Sequence, residues 1–127
     1  MAAAIHGDAA HFACRELLAT HSRPLVVPVL VIGEAAFMIE RALGPQAESR
    51  FLSELVGNDL QIEPVSPSDL ARMSELVATY ADLPLGSVDA SVMAVTERLG
   101  VSEVATLDRR HFSVVRPAHA DYFEILP

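Results

Sequence analysis

The sequence predicts an α/β fold in which helices cover a mostly parallel sheet. Apolar segments with strand character alternate with segments of helical periodicity along the chain, which is the pattern of strand-helix units. The chain has 127 residues, about the length of one domain. Its residues are 51% hydrophobic and 20% charged, enough apolar material for a core and unlike a disordered chain. We therefore expect a single domain, residues 1–127, without an internal repeat or linker.

The first half of the chain predicts helix, strand, helix, helix and strand. "GDAAHFACRELLATH" predicts a helix that begins near Asp8, and "PLVVP", residues 24–28, predicts a buried strand. "VLVIGEAAFMIERALG" predicts a helix that ends at Gly44; because it is apolar nearly all round, we expect it to be buried on more than one side. "AESRFLSELVG" predicts a short amphipathic helix, and "LQIEPV", residues 60–65, alternates like a strand.

The second half begins with a well-marked helix start. Ser66 is a capping residue, Pro67 suits the first helical position and Asp69 falls in the first turn. The apolar face predicted for this helix is Leu70, Met73, Val77 and Tyr80. After the break at "ADLPLG", "SVDASVMAVTERLG" predicts a second helix that ends at Gly100 and has an apolar face of Val88, Val92, Val95 and Leu99. "SEVATL" and "YFEIL" predict the last two strands.

Charge and composition exclude several classes of protein. The net charge is −8, from 17 acidic residues against 9 arginines, so a basic nucleic-acid-binding surface over the whole protein is excluded. A local positive patch at Arg109, Arg110 and Arg116 is compatible with that charge. Cys14 is the only cysteine, which excludes an internal disulfide. We expect no membrane span, no secretory signal and a cytoplasmic protein.

Three acidic residues occupy positions where a ligand of a parallel sheet would bind. Asp108 ends a predicted strand, Asp89 lies in the first turn of a helix, and Glu34 lies within an apolar helix. Two of these residues also have an ordinary structural explanation. Asp108 is a typical turn residue, and Asp89 is a typical charge to complement a helix dipole. Glu34 among apolar neighbours would need a partner to offset its desolvation. Carboxylates suit Mg²⁺, which polarises phosphoryl groups, so phosphodiester hydrolysis is the chemistry these residues favour.

The segments "VPVLVIGEAAFMI", "YADLPLGSVDASVMAVTERLG" and "VATLDRRHFSVVRP" resemble, in this order, PIN-domain ribonucleases of the VapC toxin type. The resemblance implies a three-layer α/β sandwich and an endoribonuclease that depends on Mg²⁺ or Mn²⁺. It also implies a VapB-type antitoxin partner and a homodimer. It assigns Glu34, Asp89 and Asp108 as catalytic, metal-binding acids and places Thr106 near them. Arg109 and Arg110 would then contact RNA phosphates, or else form surface salt bridges.

The sequence departs from this family at its N-terminus. PIN domains have a further aspartate at the end of an N-terminal strand, and none precedes Asp8, which matches a later helix. We therefore expect the sequence to lack that strand, through a misassigned start or a true truncation. An alternative function is a PIN-like module that binds an antitoxin and self-associates without cleaving RNA. A carboxylate-metal phosphatase on another α/β fold is less favoured, since no D-x-D lies near the N-terminus. The histidines form no zinc pattern, and His111 is expected to be structural.

Overall fold

The computed structural model describes residue 19 and residues 25–57, 60–106 and 109–126. The predicted N-terminal helix, including Asp8 and Cys14, therefore lies outside the described residues except for Ala19, which is helical. The described elements follow in the order β1 (Leu25–Pro28), α1 (Val29–Leu43), α2 (Pro45–Gly57), β2 (Leu60–Glu63), α3 (Pro67–Thr79), α4 (Ser87–Leu99), β3 (Glu103–Ala105), α5 (Arg110–Val114) and β4 (Glu124–Leu126).

The strands form two parallel pairs. β1 pairs with β2, with Leu25 opposite Leu60, and β3 pairs with β4, with Glu103 opposite Glu124. The second pair is extended at one end by a hydrogen bond of 2.9 Å from the Thr106 N–H to the Leu126 carbonyl. The parallel pairing agrees with the sequence prediction. Within the described residues, however, the two pairs are separate two-stranded sheets and not one continuous sheet.

β1 and α1 are less buried than the sequence predicts. In β1 only Pro28, where the strand runs directly into α1, is buried, and Val26 is 37% exposed. In α1 only Ala36 and Ile39 are buried, while Phe37 is 58% exposed. The prediction that this helix is buried on more than one side is therefore wrong. Apolar residues lie on several sides of α1, but only one face of the helix packs on the rest of the protein. The composition of a helix does not show how wide its packed face is.

The start of α3 agrees with its sequence signals, but its buried face differs. The Ser66 hydroxyl accepts from the Asp69 N–H at 3.1 Å, and the Asp69 carboxylate accepts from the Ser66 N–H at 3.0 Å, which makes a capping box. The buried residues are Asp69, Met73 and Leu76. Leu70 is 55% exposed, because the helix is rotated so that the carboxylate of Asp69 faces the neighbouring helix α4.

Helix α4 is the most deeply buried helix among those described. It packs against α3, α1 and β1, and six of its residues are buried: Ala90, Ser91, Met93, Ala94, Val95 and Thr96. The predicted face is correct at Val95, whereas Leu99 is 36% exposed. The two buried hydroxyls donate to carbonyls of the preceding turn at 2.6 Å, so their burial leaves no unpaired polar group.

The core joins α3 and α4 to the C-terminal part of the chain. Its buried members include Leu76 and Met93 from the helices, and Val104 and Phe112 from β3 and α5. The ring of Phe112 packs edge-on against Phe123, with 5.6 Å between ring centroids. None of the described helices combines the length and the apolar composition that a membrane crossing needs.

Candidate functional site

Asp89 lies in the first turn of α4, at the positive end of the helix dipole. The residue before the helix is Gly86, which has no side chain to cap the free N–H groups, and the Gly86 carbonyl accepts from the Ala90 N–H at 3.0 Å. The Asp89 side chain retains 30% of its exposure although α4 itself is buried. The carboxylate is therefore held by a buried helix at a position that solvent reaches.

His111 of α5 contacts this carboxylate. Its Nδ1 lies 2.5 Å from Oδ2 of Asp89, and the imidazole is only 13% exposed. The contact joins residues 22 positions apart in the sequence and links the start of α4 to the helix that follows β3. The sequence interpretation took His111 as structural and did not connect it with Asp89. No spacing rule relates two residues so far apart, so the contact depends on the packing of α5 against the core.

Glu34 is exposed, and the sequence argument about its desolvation is wrong. Ala36 and Ile39 are the buried residues of α1. At about 100° per residue they lie roughly 140–200° around the helix from Glu34, on the opposite side. The carboxylate therefore stays in contact with water and needs no buried partner. Helix α1 packs against α4, so the helices that carry Glu34 and Asp89 are neighbours.

Asp108 lies outside the described residues, together with Leu107. The described residues on either side are Thr106, at the end of the β3–β4 pair, and Arg109, which precedes α5. The carbonyl of Arg109 accepts from the Ser113 hydroxyl at 2.6 Å. The chain that contains Asp108 thus runs between β3 and the helix that carries His111.

Arg109 and Arg110 are exposed, as a role in phosphate binding requires. Each also interacts with another group of the protein, so neither side chain is without a partner. Exposure is compatible with both sequence interpretations, phosphate contact and surface salt bridge.

Other acidic side chains form ion pairs with arginines away from Asp89. Asp69, 3% exposed, accepts from Nε of Arg98 at 3.1 Å. Glu97 accepts from Arg72 at 2.7 and 3.1 Å and from the Ala118 N–H at 2.7 Å. Burial raises the pKa of both carboxyls, but the hydrogen bonds from their partners outweigh it, and each pKa lies below its ordinary value. These carboxylates therefore serve the packing of α3 on α4.

The donor chemistry of Asp89 and Glu34 fits a hard divalent cation, which takes carboxylate oxygens and needs only one or two of them directly. Among the residues that the structure describes, however, no three acidic, histidine or cysteine side chains lie close enough together to hold a metal ion. A complete set on the family pattern would include Asp108. The described residues thus match the ion in ligand type.

Fold and site together define a class: an α/β domain of parallel strand pairs with a solvent-accessible acidic residue in the first turn of its most buried described helix. The chain belongs to the PIN domain family, whose model matches residues 1–116. This match confirms the fold class and the family that the sequence motifs indicated.

Within this family, the chain is similar to two proteins from Mycobacterium tuberculosis. The chain is 29% identical over 117 residues to ribonuclease VapC26 of Mycobacterium tuberculosis, covering 92% of this chain and 87% of that protein. Its fold is similar to the crystal structure of VapC20 of Mycobacterium tuberculosis, described as a sarcin-ricin loop cleaving toxin. That likeness has a TM-score of 0.81 and 21% identity, and it covers 99% of this chain and 92% of the other. The similarity to VapC-type ribonucleases that the motifs indicated is therefore confirmed.

Proposed function

We propose that this protein is the toxin of a toxin–antitoxin system, an Mg²⁺- or Mn²⁺-dependent endoribonuclease that acts in the cytoplasm. The observation that carries the proposal is the Asp89 carboxylate, 30% exposed on a buried helix and in contact with His111. Its position in a PIN domain similar to a protein named as a ribonuclease supports the assignment.

Glu34, Asp89 and Asp108 are the residues we assign to hold the cation. The cation, when bound, polarises the scissile phosphate and lowers the pKa of water so that hydroxide is present near neutral pH. Asp89 would supply a carboxylate oxygen from the start of α4, and Asp108 another from the chain after β3. Glu34, on the exposed side of α1, is assigned from the family resemblance alone. Arg109 and Arg110, both exposed, are proposed to contact RNA phosphates.

The test of this function is RNA cleavage by the purified protein with Mg²⁺ or Mn²⁺, on total RNA and on a synthetic sarcin-ricin loop hairpin. Asp89→Asn should reduce cleavage by more than about tenfold, since even groups that only orient metal ligands contribute about 10–100-fold. EDTA should abolish cleavage, and added Mg²⁺ should restore it.

The matched control is Asp121→Asn, which removes an exposed carboxylate in the C-terminal segment and should leave cleavage unchanged. Full activity of Asp89→Asn would refute the nuclease assignment. A folded protein that binds a VapB-type antitoxin but cleaves neither RNA would favour the alternative, a PIN-like module without catalysis.

The proposed partners are a VapB-type antitoxin and a second copy of the chain. The net charge of −8 supports a basic segment of the antitoxin as the part that approaches the acidic site. Size-exclusion chromatography with light scattering of the toxin, alone and with its antitoxin, tests both partners; a monomer at all concentrations would exclude the homodimer.

A further inference from the structure

We propose that His111 is a positioning residue, which holds the Asp89 carboxylate in the orientation that metal binding uses. This inference rests on the proposed function, because it concerns the same acidic site. The imidazole Nδ1 contacts Oδ2 of Asp89. The contact engages one of the two carboxylate oxygens, and a cation would coordinate the other.

The position of His111 is itself set by the core. The next residue, Phe112, is 4% exposed and packs edge-on against Phe123. Val115, one residue beyond α5, is also 4% exposed. The short helix is thus anchored by two buried side chains on either side of its last turn. Because these side chains hold α5 in place, the contact of His111 with Asp89 is not needed for that purpose. Its effect is on the orientation of the carboxylate.

The contact requires no charge on the imidazole. In the neutral tautomer with hydrogen on Nδ1, the ring donates to the ionised carboxylate. A carboxylate free to rotate about its side-chain bonds loses entropy when it binds a cation, and a carboxylate already fixed by a donor loses less. We therefore expect the contact to strengthen cation binding and to raise the turnover number, without a change in RNA affinity.

The experiment compares His111→Leu and His111→Asn with the unaltered protein. Leucine removes the donor, whereas the amide nitrogen of asparagine lies close to the place of Nδ1 and restores it. We expect His111→Leu to raise the Kd for Mn²⁺, measured by the free-ion electron paramagnetic resonance signal, by about tenfold or more. It should lower kcat for RNA cleavage with little change in KM, and His111→Asn should recover most of both.

The control is His119→Leu, since His119 is exposed and its Nε2 contacts the Val101 carbonyl at 2.8 Å, far along the chain from Asp89. It should leave the Kd for Mn²⁺ unchanged. If His111→Leu melts cooperatively and binds Mn²⁺ like the unaltered protein, the positioning role is refuted while the nuclease assignment stands. Equal loss in His111→Leu and His111→Asn, with a lowered melting temperature, would also refute it. If the unaltered protein neither binds Mn²⁺ nor cleaves RNA, the proposed function fails and this inference fails with it.

Discussion

The carboxylates of this protein differ in role because they differ in neighbours. Asp69 is buried, caps α3 and pairs with Arg98, so its charge is compensated inside the protein. Asp89 is partly exposed, with one oxygen contacted by a histidine. Glu34 is exposed and stays hydrated. Among these three, only Asp89 combines a contact that fixes the carboxylate with access from solvent.

The cap of α3 gives a prediction for a single hydroxyl. Ser66→Ala removes the acceptor of the Asp69 N–H and should lower the free energy of unfolding by about 1 kcal/mol. Urea unfolding followed by circular dichroism measures it. Ser74→Ala, at an exposed interior position of the same helix, is the control and should stabilise slightly, since alanine favours helix. Equal effects of the two substitutions would show that the cap does not stabilise α3.

Among the elements, α4 has the largest influence on the site. It packs against α1 and α3 and carries Asp89 at its start, so every displacement of this helix moves the candidate metal-binding carboxylate. Its small buried residues, such as Ala90 and Ser91, allow neighbouring elements to approach closely. The element that presents the acid is therefore also the centre of the packing.

The glycines at two helices should respond to alanine in opposite directions. Gly100, the C-cap of α4, has a φ of 69°, and Gly100→Ala should cost about 1 kcal/mol of unfolding free energy. Gly33 lies within α1, and an added Cβ meets nothing within 4 Å, so Gly33→Ala should stabilise by roughly 0.5–1 kcal/mol. Space is free at Gly100 as well, so backbone conformation alone decides the difference. Thermal melting of both variants measures it; a neutral Gly100→Ala would contradict the prediction.

At the scale of the whole molecule, ion pairs connect distant parts of the chain. Arg98 joins Asp69 on α3 to Glu63 at the end of β2. Glu97 joins Arg72 on α3 to the backbone of Ala118. Glu97 and Arg98 both lie in the C-terminal half of α4, away from the end that carries Asp89. The helix thus uses one end for the tertiary structure and the other for the candidate site.

These pairs predict how stability depends on pH. Because the pKa values of Asp69 and Glu97 are lowered in the folded state, their contribution is complete above the unfolded pKa values, near 4. It is lost as pH falls towards the folded-state pKa values. Melting temperature should therefore fall between about pH 5 and about pH 3.

The variant that tests this is Asp69→Asn, which should be less stable at pH 7 and lose less stability on acidification. Asp121→Asn, at an exposed position, should follow the unaltered protein throughout. An identical acid dependence in Asp69→Asn would show that the pair with Arg98 does not contribute.

The sequence by itself determined where α3 begins, where α1 and α4 end, and to which family the chain belongs, but it did not predict the short helix α5. Ser66 with Pro67 starts α3, and Gly44 and Gly100 end α1 and α4 as predicted, because a cap depends on the conformation of a few adjacent residues. The motifs around Asp89 indicated a PIN domain, and the family match confirmed it.

Only the tertiary structure decided which side chains are buried and which meet. It exposed Glu34, buried Asp69 against Arg98 and brought His111 to Asp89. Each of these outcomes depends on how segments more than 20 residues apart pack together. The periodicity of one segment carries no information about that packing. The composition of α1 predicted a buried helix, whereas the area its neighbours cover left Phe37 in solvent.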